Sequence, residues 1–275
     1  MARIGITGAT GRIGGMVARL LENGPDELVL IVRDASRAPR GPWRVRTTTG
    51  YADPANREAL AGLDVLLMVS AAESADRLDQ HRAFVASAAA AGVPHIVYTS
   101  FLGAAPDAVF TLSRTHWATE QALRASGMAL TVLRDSFYLD FLPKMAVDGV
   151  IAGPAGDGVV SAVAQSDVAA SAAAVLADPA PYAGATYELT GPEAIGLARV
   201  AETVTRLTGV PTRYRNETVE QARASRARYG VPDWQLDAWV STYTAIAAGE
   251  VAAVTDDVRA LTGREPLSLE RLLTR

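Results

Sequence analysis

The 275-residue chain contains no cysteine. That absence excludes disulfides, thiol nucleophiles and thiolate-held metals together, and it fits a cytoplasmic location. Histidine is almost as scarce. Its three copies, His81, His95 and His116, are scattered, and no His/Asp/Glu group has metal-ligand spacing, so no metal is expected. There is no Gly-x-Ser-x-Gly elbow, which argues against a hydrolase triad. No apolar run approaches the roughly 20 residues of a membrane span. The start, Met1 to Ile6, has no charged segment ahead of an unbroken apolar one, so neither a membrane helix nor an export signal is expected. An excess of positive charge is missing too. With 26 Lys and Arg against 30 Asp and Glu, the net charge of −4 gives no electrostatic reason to expect nucleic acid or an anionic membrane as partner. Lys144 is the single lysine.

At 49% hydrophobic and 20% charged, the chain has an ordinary globular composition. Its first half alternates short apolar runs with helical patterns, which predicts βαβ units on a parallel sheet. Strands are expected at 3–7, 27–33, 45–48, 64–69, 95–100 and 129–134, with helices at 11–23, after Asp53-Pro54, at 75–91 and at 113–125. After Pro143 the rhythm changes. A glycine-rich stretch at 149–158 reads as loops or a hairpin, 159–165 as a strand, 167–176 as a helix capped by Asp167, and 187–189 as a short strand. From Leu197 the pattern is mostly helical, with apolar faces at Leu197, Val200, Ala201, Val204 and Leu207 and at Leu236, Trp239, Val240, Tyr243 and Ile246. The fold class is α/β: a Rossmann-type doubly wound parallel sheet with a smaller, mainly helical C-terminal lobe. Residues 1–142, with about 158–178 returning, form the nucleotide domain; 143–157 and 179–275 form the substrate lobe. A cleft between two such parts is the expected place for substrate.

Thr7-Gly8-Ala9-Thr10-Gly11-Arg12-Ile13-Gly14 lies directly between the first strand and the first helix. In that context three glycines have separate tasks: a tight turn, close approach of backbone to a pyrophosphate, and packing of helix on strand. The helix start then offers unpaired N–H groups and a positive dipole end to phosphate, while Thr10 and Arg12 add a hydroxyl and a charge. Arg33 ends the second strand, about 20 residues past the turn, where a dinucleotide fold reads the adenosine ribose. A guanidinium there suits a 2′-phosphate, and Arg37 is placed to add a second contact. Asp34, turned inward, would instead suit a 2′-hydroxyl. NADP(H) is therefore the preferred cofactor, with NAD(H) as the alternative.

Gly5-Ile-Thr-Gly-Ala-Thr-Gly-Arg-Ile-Gly14, Ile31-Val-Arg-Asp34 and His95-Ile-Val-Tyr-Thr-Ser100 resemble the atypical short-chain dehydrogenases. Within them the chain is similar to the NmrA-like group that holds type-2 NAD(P)H:quinone oxidoreductases and triphenylmethane reductases. The similarity continues through His116-Trp-Ala-Thr-Glu-Gln-Ala-Leu-Arg-Ala-Ser-Gly127, Thr131-Val-Leu-Arg-Asp-Ser-Phe-Tyr138, Glu188-Leu-Thr-Gly-Pro192 and the ending Leu261-Thr-Gly-Arg-Glu-Pro-Leu-Ser-Leu-Glu270. The resemblance implies that Gly8, Thr10, Gly11, Arg12, Ile13 and Arg33 hold the adenosine and pyrophosphate end. It places Ser70 and Ala71 near the nicotinamide ribose, has Thr99, Ser100 and Phe101 border the nicotinamide, and has Phe137 and Tyr138 close the cleft.

One departure matters. Most short-chain dehydrogenases carry a tyrosine, and a lysine four residues later, on the helix after the fifth strand; this chain has neither there. His116 stands where related ether reductases carry a lysine, with Glu120 one turn on. Carbonyl reduction normally needs a placed proton donor, so acceptors that need little acid help are favoured. The candidate catalytic groups are Ser100 as an oxygen polariser, His116 as a donor tuned by Glu120, and Tyr138 as a donor or stacking surface. The expected function is hydride transfer from NADPH to a small, flat aromatic acceptor such as a quinone or dye, by a monomer or homodimer. Two other readings stay open: a non-catalytic NADP(H)-binding sensor that works through a protein partner, and a pathway-specific oxidoreductase on a polyketide-like aromatic.

Overall fold

The computed structural model describes all residues, 1–275. In chain order the elements are β1 (Arg3–Thr7), α1 (Arg12–Leu21), β2 (Glu27–Val32), β3 (Arg44–Thr47), α2 (Asn56–Ala59), β4 (Val65–Met68), α3 (Arg77–Ala90), β5 (His95–Phe101), α4 (Thr111–Ala125) and β6 (Ala129–Asp135). There follow β7 (Ala146–Val147), β8 (Val150–Gly153), β9 (Val159–Val160), α5 (Gln165–Ala177), β10 (Thr186–Leu189), β11 (Ile195–Gly196), α6 (Leu197–Thr208), β12 (Arg213–Asn216), α7 (Val219–Ala227), α8 (Asp233–Ala247), α9 (Asp257–Thr262) and α10 (Leu269–Leu273). No helix is long and apolar enough to cross a membrane.

Seven strands form the main sheet in the order β10-β6-β5-β4-β1-β2-β3. The β1–β2, β1–β4, β2–β3 and β4–β5 pairs are parallel. Strand order reverses at β1, which lies between β2 and β4; such a switch point is where doubly wound sheets bind ligands, outside the C-terminal strand ends. β4 and β5 are buried along their whole length; β4 is the unbroken apolar strand expected under cover on both faces, while β5 also buries the polar His95, Thr99 and Ser100. α1 is amphipathic, and Ile13 and Val17 face inward. It stops where the Gly24 N–H bonds the Leu21 carbonyl at 3.0 Å.

The chain forms two compact units. One comprises Met1–Ser100, Thr115–Arg134 and Val168–Tyr187; the other comprises Phe101–Arg114, Asp135–Asp167 and Glu188–Arg275. These bounds differ from the expected 1–142 plus 158–178. Residues 101–114, 135–142 and 158–167 belong to the second unit, and 179–187 to the first. The short β10 explains the last shift. Its approach is tied to β6 by Gly184 N–H to Leu130 O at 2.7 Å and Val132 N–H to Ala185 O at 3.0 Å. Four residues are too few for a periodicity to reveal that attachment. In the region 159–165 only β9 is strand, and it pairs with β11 of its own unit. Asp167 does not cap a helix. It lies inside the first turn of α5, accepts from the Leu267 N–H at 2.7 Å and pairs with Arg264 at 2.8 Å. The second unit also carries a three-stranded sheet, β12-β8-β7, so it is less purely helical than the pattern predicts.

Candidate functional site

The turn after β1 shows what each glycine does. Gly8 has φ +63°, in the left-handed region that side chains disfavour. Gly11 is the extended N-cap of α1 and has no side-chain cap, so backbone donors at the helix start remain open to an anion. A Cβ on Gly14 would come within 2.6 Å of the Gly8 carbonyl group and 2.7 Å of the Thr7 carbonyl oxygen. Only hydrogen lets α1 sit this close to the turn. Ile13 and Gly14 are buried in this packing, beneath the surface that would meet phosphate.

A cavity of about 330 Å³ opens beside the turn, at the exits of β1, β2 and β4. Gly8, Thr10, Arg33, Ser70 and Ala71 line it. Thr10 also borders a shallower depression of about 280 Å³ with Gly11, Arg12 and Arg37. Eight of the expected cofactor residues thus line adjoining hollows, with Arg33 and Arg37 in different ones, while Ile13, Gly14, Thr99 and Phe137 line neither. Asp34 is occupied elsewhere. Its carboxylate accepts from the Ser36 N–H at 2.9 Å and the Ser36 hydroxyl at 2.7 Å, capping the turn Ala35–Arg37. Those bonds hold its pKa below the usual 3.8.

Tyr51 lines the same cavity and escaped sequence reasoning. Its hydroxyl bonds Thr7 Oγ1 at 2.6 Å and the Val69 carbonyl oxygen, and its ring stacks on Phe84 with centroids 4.2 Å apart. It thereby ties the exits of β1 and β4 together. Nothing in the loop Gly50-Tyr51-Ala52 marks it in advance.

The loop after β4 is held by a buried polar network. Ser70 N–H donates to Thr99 Oγ1 at 2.9 Å, so Thr99 faces the loop from inside. Ala71 N–H donates to His81 Nε2 at 2.9 Å, and the Ala71 carbonyl accepts from Arg77 Nε at 2.9 Å. Arg77 is buried and extends to Thr115 Oγ1 at 2.7 Å and His116 Nε2 at 2.9 Å. A guanidinium can only donate. His116 Nε2 therefore accepts, and its Nδ1–H donates to the Tyr98 hydroxyl at 3.0 Å. The same logic fixes His81. Its Nε2 accepts from Ala71, leaving Nδ1–H to meet Thr119 Oγ1 at 2.8 Å. Burial, reinforced by Arg77, pushes the His81 pKa down to about 3 and His116 well below 6.5. Both imidazoles are neutral.

His116 and Glu120 share a helix but serve different partners. Glu120 is 1% exposed and accepts from Arg134 through both oxygens, at 2.9 and 2.8 Å. The Ser100 hydroxyl donates to Glu120 Oε1 at 2.6 Å. Ser100 is buried, and its proton is committed to that carboxylate.

Tyr138 has a partner that was not foreseen. It is half-buried, and its hydroxyl bonds Asp135 Oδ2 at 3.0 Å. Asp135 is 2% exposed, and its Oδ1 is buried without a hydrogen bond. Burial pushes its pKa up from 3.8 to about 8, with the Tyr138 bond opposing. At neutral pH this carboxyl holds its proton. An aspartate ending an apolar strand, three residues before a tyrosine, is the only trace of it in the sequence. Phe137 packs in an aromatic trio with Phe101 and Phe110, centroids 4.9 and 5.0 Å away.

Comparison with known proteins finds NAD(P)H-dependent oxidoreductases. A family model described as NAD(P)H-binding matches residues 8–179. The NAD(P)H azoreductase of Xenophilus azovorans is 33% identical over 266 residues, covering 94% of this chain and 92% of that protein. Quinone oxidoreductase 2 of Escherichia coli (strain K12) is 35% identical over 243 residues, covering 85% and 84%. Among solved structures, the NADPH-dependent quinone oxidoreductase QOR2 of Escherichia coli complexed with NADPH matches with a TM-score of 0.89 at 32% identity, covering 98% of each chain. The Citrobacter sp. triphenylmethane reductase complexed with NADP(H) matches with a TM-score of 0.88 at 29% identity, covering 98% of this chain and 99% of that one.

Proposed function

This chain belongs to the NAD(P)H-binding family and is an NAD(P)H-dependent oxidoreductase, and from that premise we propose that it prefers NADPH and reduces flat aromatic acceptors of the quinone or dye type. One observation carries the cofactor preference: Arg33 lines the cavity beside the glycine turn, while the neighbouring carboxylate of Asp34 is spent on Ser36. A guanidinium suits a 2′-phosphate, and a carboxylate is what a 2′-hydroxyl would need. Gly8, Thr10, Gly11 and Arg12 would hold the diphosphate, with Ser70 and Ala71 along the path to the reactive ring. NADPH, when bound, supplies a hydride.

The chain's own contribution is positioning and a proton. The double clamp of Arg77 and His81 on the Ala71 peptide holds the loop after β4 in one conformation before cofactor arrives. We assign His116 to positioning Arg77, and Ser100 to supporting Glu120. A quinone that accepts hydride must also take one proton to become a hydroquinone. Tyr138 is the donor: its hydroxyl, which in the resting site donates to Asp135 Oδ2 at 3.0 Å, turns to the acceptor oxygen, and Asp135, protonated at neutral pH, then returns a proton to the tyrosinate. A cationic dye reduced at carbon needs no proton.

The assay is NADPH absorbance with a quinone panel and a triphenylmethane dye. The expected result is turnover of both classes, with Tyr138→Phe slowing quinone reduction at least tenfold and sparing the dye. If no acceptor oxidises NADPH although the cofactor binds tightly, the acceptor reading falls. If Tyr138→Phe slows both classes equally, the proton assignment falls.

A further inference from the structure

The second unit contains a cavity of its own, about 750 Å³ in volume, in the size range of small-molecule sites. Its walls come from the chain around Phe141 and Lys144, from β8, from the segment at and after α7, and from α8. Two properties set it apart. The first is aromatic surface. Phe141 and Tyr229, which line it, are 53% and 51% exposed and are the only aromatic side chains of the chain left that open to solvent. Trp239 meets Tyr229 edge to face, with centroids 5.8 Å apart, and Tyr243 adds a fourth ring to the lining.

The second property is charge. Lys144, Arg215, Arg226 and Arg228 line the cavity against two carboxylates, Asp148 and Glu217, an excess of two positive charges in a chain of net charge −4. Arg215 and Arg226 are both engaged with Glu217, at 2.9 and 3.4 Å. Arg226 also donates to the Ala152 carbonyl at 2.7 Å and lies over the Tyr243 ring. Those two arginines belong to the wall. Lys144 and Arg228 have no carboxylate partner; Arg228 donates to the Tyr229 hydroxyl at 3.1 Å and stacks 5.0 Å over its ring. Exposed aromatic rings cost hydration free energy, and unpaired cations attract anions. A ligand that satisfies both is flat, aromatic and negatively charged.

We propose that this cavity is a binding site for a planar aromatic anion, its ring among Phe141, Tyr229 and Trp239 and its carboxylate or sulfonate meeting the charge of Lys144 and Arg228. The inference uses only the second unit and stands whether or not the reductase reading does. Two sources share the ligand chemistry: an anionic acceptor that is reduced, and an effector that is not.

The test is calorimetry of the full chain, free of cofactor, with three matched probes: 2-naphthalenesulfonate, 2-naphthol and a trimethyl-2-naphthylammonium salt. The sulfonate should bind at least tenfold more tightly than the cation, with an affinity that falls as salt is raised. The double variant Lys144→Glu, Arg228→Glu should lose that preference while keeping the parent melting temperature, since both residues are exposed. Equal affinity for the three probes, or sulfonate binding untouched by the double variant, would overturn the proposal; so would loss of sulfonate preference on Phe141→Ser alone with charges intact and no change in 2-naphthol affinity. A further arm uses anthraquinone-2-sulfonate with NADPH. Turnover with a KM raised in the double variant identifies an acceptor subsite; binding without turnover identifies an effector site. Binding of a polyanion such as heparin in preference to the small sulfonate would refute a small-molecule site.

Discussion

Replacing Asp135 with asparagine preserves the side chain's shape and its acceptor for Tyr138 while removing its titration. The carboxyl is 2% exposed, its Oδ1 has no hydrogen bond, and burial raises its pKa from 3.8 to about 8. Between those values the native protein holds a proton that the unfolded chain releases. Because the folded value is the higher one, stability must fall as pH rises through that window and level off above it. One proton is worth about 1.4 kcal/mol per pH unit at full strength. From about pH 5 to about pH 8 Asp135 therefore costs the native state about 3 to 4 kcal/mol. Asp135→Asn carries no such slope. Urea unfolding of both proteins followed by far-UV circular dichroism across this range should show the variant gaining at least 2 kcal/mol on the parent by about pH 8. Comparing the two also cancels the histidines. His81 and His116 have depressed pKa values and make stability rise with pH below about 6.5, but equally in both proteins. The same variant should flatten the alkaline fall in quinone turnover to a low, pH-independent rate. Parallel stability curves, differing by less than about 1 kcal/mol across the range, would refute the protonated-carboxyl argument.

Three other outcomes follow from named contacts. Arg33→Glu should weaken NADPH about a hundredfold, the loss of charge-assisted bonds worth about 3 kcal/mol, while NADH affinity changes less than about threefold; equal losses for the two would show that Arg33 does not read the 2′-phosphate. Gly14→Ala puts a Cβ 2.6 Å from the Gly8 carbonyl group, so α1 must move; we expect about 1 to 3 kcal/mol of lost stability together with lost NADPH affinity by calorimetry, and an unaltered cofactor Kd would detach the helix position from phosphate binding. Glu120→Ala removes two charge-assisted bonds from the Arg134 guanidinium, 20% exposed, and should cost about 3 kcal/mol in urea unfolding; Ser100→Ala, which removes one donor to the same carboxylate, should cost about 1 kcal/mol and leave KM for NADPH unchanged.

The sheet was legible because its signals are local. An unbroken apolar run such as Val65–Met68, or a glycine turn between strand and amphipathic helix, carries its meaning within ten residues. The glycine turn and the hollow beside it were legible for the same reason: Gly8, Gly11, Gly14 and Arg33 are set by the geometry of one βαβ unit. The proton chemistry was not. His116 and Glu120 stand one turn apart and suggest a pair, but helical spacing says only that two side chains share a face. Which of them meets Arg77, Tyr98, Ser100 or Arg134 is decided by contacts as many as 39 residues apart.

Asp135 shows the limit most clearly. In sequence it is one of the chain's 30 acidic residues, at the end of a strand, with nothing to set it apart. Only in the fold, with the Leu102 N–H on its carbonyl at 2.8 Å and the neighbouring Ser136 N–H on Leu189 O at 3.0 Å, is this strand end covered and the carboxyl buried. An ionised carboxylate would have a single donor, the Tyr138 hydroxyl, and a buried Oδ1 with none, so burial prevails and the neutral form is favoured. The chain lacks the tyrosine–lysine pair on the helix after β5, and the proton source proposed in its place is a buried acid whose proton is held by its surroundings rather than by a residue type that a motif can specify.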